Sequence, residues 1–208
     1  MTTLLHINSS PRAGASKSLA IAQSFLSSYH ERHPELVIDS LNLFDEPLPD
    51  FGTVAAAAKM AAFGGQEHTE TERAAWAEAR AVFDRFAAAD EYLFNVPMWN
   101  HGVPYVLKQW IDLVTQPGWA FGFHPEQGYS ALLQDKRAVA VYTTGVYTPG
   151  RPPNFGSDFH ASFFTDWMHF VGIDDVTEIR FDGNVLDSDP ETSLATFCSK
   201  ARDLATTF

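Results

Sequence analysis

Two periods of hydrophobic and polar residues alternate along the chain. Short apolar runs recur at Leu4–Ile7, Leu36–Leu43, Tyr92–Val96, Arg137–Thr143 and Val176–Phe181. Runs of this length, bounded by turn residues, predict five buried strands. Between them the apolar positions recur at three and four, the spacing of a helix with one buried face. Leu19, Ala22, Leu26 and Tyr29 form one such face, and Leu107, Trp110, Ile111 and Val114 another, opened by Pro104 at the first helical position. Thr53–Met60 is alanine-rich and predicts a short helix ended by Gly64-Gly65. Thr69 and Glu72 read as a capping box ahead of Trp76, Ala79, Val82, Phe83 and Phe86. Asp158 caps a helix carrying Phe163, Phe164, Trp167, Met168 and Val171, with Gly172 past its end. Asp189-Pro190-Glu191 opens a last helix with Leu194, Phe197, Cys198, Ala201 and Leu204 on one face. Strands alternating with helices predict an α/β fold, a parallel sheet with helices on both faces, in a single domain over residues 1–208.

Composition narrows the class. With 208 residues, 45% apolar and 13% aromatic, the chain can build a full core. A net charge of −12 argues against nucleic acid and anionic membrane as partners. No apolar run approaches the ~20 residues of a membrane span, and the first residues lack the basic and apolar regions of a signal peptide. The single cysteine, Cys198, excludes an intrachain disulfide and a cysteine metal cluster, and the histidines show no ligand spacing, so no metal site is expected. A cytoplasmic protein is expected.

Chemistry concentrates where strands hand over to helices. After the first strand, Asn8-Ser9-Ser10-Pro11-Arg12-Ala13-Gly14-Ala15-Ser16-Lys17-Ser18 forms a hydroxyl-rich loop into a helix. A helix N-terminus with free N–H groups is an anion site; Ser16 or Ser18 can cap it, and Arg12 or Lys17 can supply charge. The loop lacks both the nucleotide P-loop pattern and the dinucleotide glycine fingerprint. After the third strand, Pro97-Met98-Trp99-Asn100-His101-Gly102 forms a turn rich in flat side chains. After the fourth, Thr143-Thr144-Gly145-Val146-Tyr147 lets backbone N–H groups approach a ligand closely. Gly118–Pro125 alternates aromatics with glycine. It reads either as an aromatic wall against a planar ligand, through Trp119, Phe121 and Phe123, or as a loop packed on the core or a second subunit. Tyr147 begins a Pro/Gly-rich loop that reads as the rim of the same pocket.

The Pro-aromatic-Asn turn followed by Pro-x-x-Leu-Lys and Ile-Asp resembles the ring-binding segment of the FMN-dependent NADH azoreductases. These are flavodoxin-like NAD(P)H oxidoreductases, historically also called acyl-carrier-protein phosphodiesterases. The resemblance implies the strand order 2-1-3-4-5, in which the loops after strands one and three are neighbours at the switch point. It implies FMN, with Ser10, Ser16, Lys17 and Ser18 around the phosphate and Met98, Trp99, Asn100, His101, Thr143, Thr144, Gly145 and Val146 around the ring. It also implies ping-pong transfer from NADH or NADPH to a quinone or azo compound, and a homodimer with pockets between subunits. The family often carries Ser-Arg-Gly-Gly where this chain has Thr143-Thr144-Gly145-Val146, so an arginine and a glycine are missing. His101 stands as a proton donor or a hydrogen-bonding lid residue, and His160 as a weaker candidate. The alternatives are a single-electron carrier of the flavodoxin type and, more distantly, a phosphodiesterase, for which no nucleophile elbow is present.

Overall fold

The computed structural model describes residues 2–208. Five parallel strands form one sheet: β1 (Thr3–Asn8), β2 (Val37–Asn42), β3 (Glu91–Pro97), β6 (Arg137–Thr143) and β7 (Asp175–Phe181), in the order β2-β1-β3-β6-β7. The expected order holds. The numbers shift because two short strands, β4 (Phe121–His124) and β5 (Gly128–Ala131), pair antiparallel outside the sheet. The sequence pattern did not separate these, because Phe-Gly-Phe and Gly-Tyr-Ser alternate over only four residues each. The helices are α1 (Lys17–Arg32), α2 (Thr53–Phe63), α3 (Glu70–Ala88), α4 (Tyr105–Val114), α5 (Ala161–Val171) and α6 (Pro190–Leu204).

Each central strand sends alternate side chains to opposite faces, and both faces are buried. Leu4, Leu93, Val139 and Val141 pack against Ile21, Phe25 and Tyr29 of α1 and Ala201 of α6. Leu5, Tyr92, Phe94, Ala138, Ala140 and Tyr142 face the other way, onto Phe86 of α3, Trp110 of α4 and Phe164 and Trp167 of α5. This is why the strands read as near-continuous apolar runs. Aromatic rings dominate this second layer: Phe94 lies edge-on to Phe164 at 5.0 Å, and Trp110 edge-on to Trp167 at 5.5 Å.

Local signals set most helix ends. Ser16 caps α1 by accepting from the Leu19 N–H at 3.1 Å. Thr69 and Glu72 form the expected capping box of α3, Asp189 caps α6, and Gly172 ends α5 at φ 101°. Asp158 accepts from the N–H groups of His160 and Ala161, so it closes the start of α5 from just outside the helix. Some details differ from expectation. Pro104 caps α4 rather than occupying its first turn, α2 extends to Phe63, and the deepest residues of α1 are Ile21 and Phe25 rather than Leu19 and Leu26. No helix among the described residues is long and apolar enough to cross a membrane.

Candidate active site

The carboxyl ends of β1, β3, β6 and β7 converge on a cavity of about 300 Å³. One end is cationic and rich in donors: Ser10, Arg12, Ser16 and Lys17 line it. The other is flat and backbone-rich, with Pro97, Met98, Trp99 and Thr143–Gly145. No carboxylate lines this cavity, although the chain carries −12 overall. Local donors and charge therefore favour an anion there.

The donor end is prepared by the start of α1. The first-turn amides of Lys17 and Ser18 have no acceptor among the described residues, which is the usual state of a helix N-terminus awaiting an external partner. Arg12 is exposed and takes part in no hydrogen bond or ion pair among the described residues through its guanidinium. Lys17 is placed differently from the expectation. Its Nζ donates to Oδ1 and the carbonyl oxygen of Asn184, at 3.0 and 3.2 Å. Ser18 does not reach the cavity: it is buried, in a 3.1 Å bond to the Ser16 hydroxyl.

Beneath this loop lies a buried polar chain that the strand pattern concealed. His6 Nε2 meets Asn95 Oδ1 at 2.9 Å, Asn95 Nδ2 donates to Asn8 Oδ1 at 2.7 Å, and the Ser10 N–H donates to that same oxygen at 3.0 Å. Because Asn95 Nδ2 is the donor to Asn8, its Oδ1 accepts, and His6 carries its proton on Nε2. Burial depresses the His6 pKa, an effect the Asn95 bond only partly offsets. The chain ties β1 and β3 to the Ser10 loop. The available signal was the one non-apolar residue inside each of the runs Leu4–Ile7 and Tyr92–Val96, His6 and Asn95.

The turn after β3 closes as a two-residue hairpin. Trp99 and Gly102 exchange backbone hydrogen bonds of 2.9 and 3.0 Å, and both central residues have positive φ, Asn100 at 48° and His101 at 70°. This turn type requires φ > 0 at both positions; asparagine accepts it readily and histidine does not. Such strain persists only where surrounding contacts impose it. Here the His101 carbonyl accepts from the Phe159 N–H at 3.2 Å, and its Nδ1 accepts from the Ser157 N–H at 3.1 Å. The second bond selects the tautomer with hydrogen on Nε2. Asn100 and His101, with Met98, Gly145, Val146, Tyr147 and Phe155, line a second cavity of about 210 Å³, which shares Met98 and Gly145 with the first.

The loop after β6 is held by the loop after β7. Thr144 Oγ1 accepts from the Gly183 N–H at 2.9 Å and donates to the Tyr147 carbonyl, so its hydroxyl is fully engaged. The amides of Gly145 and Val146 have no acceptor among the described residues and remain available. Asn184 and Val185 join the cavity wall from this β7 loop. Sequence reading missed them, though they follow a strand at its carboxyl end as the other three loops do.

Trp119, Phe121 and Phe123 lie elsewhere within the single chain. Trp119 packs between Trp76 and Phe83, at 4.5 and 5.5 Å. Phe121 and Phe123 line a separate pocket with Phe63. Two residues apart on β4, Phe121 and Phe123 share one face of the β4–β5 ribbon, Phe121 seated in the core and Phe123 exposed further along the strand, and neither lines the cavity. His160 is wholly buried and donates from Nε2 to the Val96 carbonyl at 2.7 Å. Burial is the main force lowering its pKa, to about 4. No group of three His, Cys, Asp or Glu among the described residues is placed to hold a metal ion.

The cavity fits FMN on its own terms: orphan amides, hydroxyls and a free guanidinium at one end, and a flat wall with unpaired N–H groups at the other. Comparisons with known proteins agree with this. A family model described as flavodoxin-like fold matches residues 2–204. The FMN-dependent NADH:quinone oxidoreductase of Ruegeria pomeroyi is 44% identical over 191 residues, covering 92% of this chain and 94% of that protein. The protein of the same name from Desulfotalea psychrophila is 38% identical, covering 99% and 97%. Among solved structures, an azoreductase from Bacillus anthracis superposes with a TM-score of 0.90 at 27% identity, over the whole of both chains.

Proposed function

Because this chain belongs to the flavodoxin-like family that includes the FMN-dependent NADH:quinone oxidoreductases, we propose that it uses FMN to pass reducing equivalents from NADH to a quinone or an azo compound. One observation carries the reading: a single cavity joins a carboxylate-free, cation-bearing helix terminus to a flat, amide-lined wall. FMN, when bound, supplies hydride chemistry that no side chain can perform.

The protein's part is to bind, orient and shield. Ser10, Ser16, Arg12 and the amides of Lys17 and Ser18 serve the phosphate end. Met98, Trp99 and Asn100 with Thr143–Val146 serve the ring, and Asn100, whose side-chain amide has no partner among the described residues, suits a heteroatom edge. The N–H groups of Gly145 and Val146 supply fixed partial positive charge, which favours negative charge on a reduced ring. The missing arginine at this loop leaves backbone donors to do that work. The adjoining cavity of about 210 Å³ shares Met98 and Gly145 with the first, and in this reading NADH and the acceptor use it in turn, as ping-pong transfer requires. There the Nε2–H of His101 is placed to donate to an acceptor oxygen, so His101 orients the acceptor. His160, buried and committed to Val96, is no proton source.

The reading includes a single domain and a cytoplasmic homodimer with composite pockets. Phe63, Phe123 and Tyr129 form a contiguous exposed aromatic face, with ring centroids 5.9 and 5.1 Å apart. In this reading a second copy covers that face, and the pocket is completed between subunits.

The test is an absorption spectrum of the protein reconstituted with FMN, then titrated with NADH without oxygen. Bound oxidised flavin that bleaches rapidly is the expected result. Flavin that binds but resists NADH would indicate a single-electron carrier, and absence of flavin binding would overturn both.

A further inference from the structure

Lys17 sits where a phosphate ligand is expected, yet its ammonium is turned toward Asn184. Nζ donates to Asn184 Oδ1 and to the Asn184 carbonyl, and lies 5.4 Å from the centre of the Phe181 ring. The other side of Asn184 holds the ring-side loop. Its Nδ2 donates to the Thr144 carbonyl, its N–H donates to the same oxygen at 3.1 Å, and the Val185 N–H donates to the Gly145 carbonyl at 2.9 Å. The amide orientation is set by chemistry, because an ammonium only donates and a carbonyl only accepts. Asn184 is therefore a cross-link between the loops after β1 and β6. Those strands are not neighbours, since β3 lies between them. Nothing covalent keeps the two ends of the cavity in register.

We propose that Lys17 and Asn184 form a latch that positions the Thr144–Gly145 wall, while Arg12 supplies the side-chain charge for the cofactor's phosphate. Lys17 is then a positioning residue that acts through Asn184. The inference rests on the FMN reading above and adds which cation does what. Arg12 lines the same end of the cavity and its guanidinium pairs with none of the described residues, so the division of labour follows from the hydrogen bonds already made.

The experiment measures FMN and riboflavin affinity by fluorescence quenching of the purified full chain. The variants are Arg12→Gln, Lys17→Met, Lys17→Arg, Asn184→Ala and the Lys17→Met/Asn184→Ala double, each first checked for an unchanged thermal midpoint. A phosphate ligand matters for FMN alone, whereas a latch matters for both flavins. Arg12→Gln is expected to weaken FMN about tenfold and leave riboflavin unchanged, the size of one lost charge-assisted bond. Lys17→Met and Asn184→Ala are each expected to weaken both flavins by a similar factor, roughly five- to tenfold. The double is expected to be no worse than the worse single, because both remove the same contact. Lys17→Arg keeps donors facing Asn184 and is expected to restore most of the affinity. A Lys17→Met effect confined to FMN, or single effects that multiply in the double, would overturn the latch. If riboflavin binds too weakly to titrate, multiplication or its absence in the FMN data decides alone. Failure of the unmodified protein to bind FMN would instead remove the functional reading itself.

Discussion

Asn100 concentrates the tension between local strain and use. At φ 48° it occupies a region few side chains accept, and its side-chain amide has no partner among the described residues. Two explanations separate experimentally. If only the backbone shape matters, Asn100→Gly, which relaxes the strain, should bind FMN as well as the parent. If the amide meets the ring edge, Asn100→Gly and Asn100→Ala should both lose affinity, by about tenfold for one lost hydrogen bond. Ala should also destabilise the fold by about 1 kcal/mol at this φ. We expect both variants to lose FMN affinity, measured by flavin fluorescence, with thermal melts showing the extra cost for Ala. Neither His101 nor Thr144 offers so clean a test, because the Nδ1 of one and the hydroxyl of the other are already committed to backbone partners.

At the scale of elements, the start of α5 is fastened to the end of β3 by His160, and the fastening is sensitive to acid. The His160 pKa is depressed from 6.5 to about 4, by burial before anything else. The unfolded chain therefore binds the proton more readily than the folded one between those values. Stability from this site is complete above about pH 6.5 and declines as pH falls toward 4. The full span is worth about 3 kcal/mol, the free energy of a shift of this size. His6 is lowered in the same direction, and Asp158, held low through Arg180 and the first amides of α5, also loses stability on acidification. Thermal midpoints should fall between pH 7 and 4.5, and His160→Gln should flatten that dependence while lowering the midpoint at pH 7. An unaltered pH slope in His160→Gln would assign the acid sensitivity to the other groups. The element scale also explains why the aromatic segment after α4 was hard to read. Four residues of alternation cannot distinguish a ribbon from a wall, and Trp119 chose α3 because Trp76, Phe83 and the Arg80 guanidinium already form a slot there.

For the whole molecule, the issue is what covers the exposed rings. Phe63, Phe123 and Tyr129 adjoin one another, and Tyr105, edge-on to Phe44 at 6.0 Å, is also largely exposed. Exposed apolar rings that adjoin, as Phe63, Phe123 and Tyr129 do, are normally an interface. Light scattering of the native protein should give twice the 23.1 kDa chain mass. Replacing Phe123 with Asp should shift it toward monomer and lower quinone reduction more than FMN binding. A fully active monomer would contradict the composite pocket.

The periodic patterns by themselves determined the sheet, the helices and the positions of the chemistry-bearing loops. A strand buried on both faces must be apolar throughout, and a loop after such a strand must lie at the sheet's carboxyl edge. The caps at Thr69 and Asp189, and the cap of α1 down to the pair Ser16 or Ser18, were legible for the same reason: they are local, and each bonds an amide within three residues. What only the tertiary structure decided is non-local. Lys17 meets Asn184 across 167 residues, His6 meets Asn95 across 89, and His101 meets Ser157 across 56. No periodicity records such pairings, because a single polar side chain takes its partner from whichever donor or acceptor packing brings beside it. That is why the sequence could bring the hydroxyl-rich loop and its two cations to the sheet's carboxyl edge but not say that Lys17 turns to Asn184 while Arg12 stays exposed.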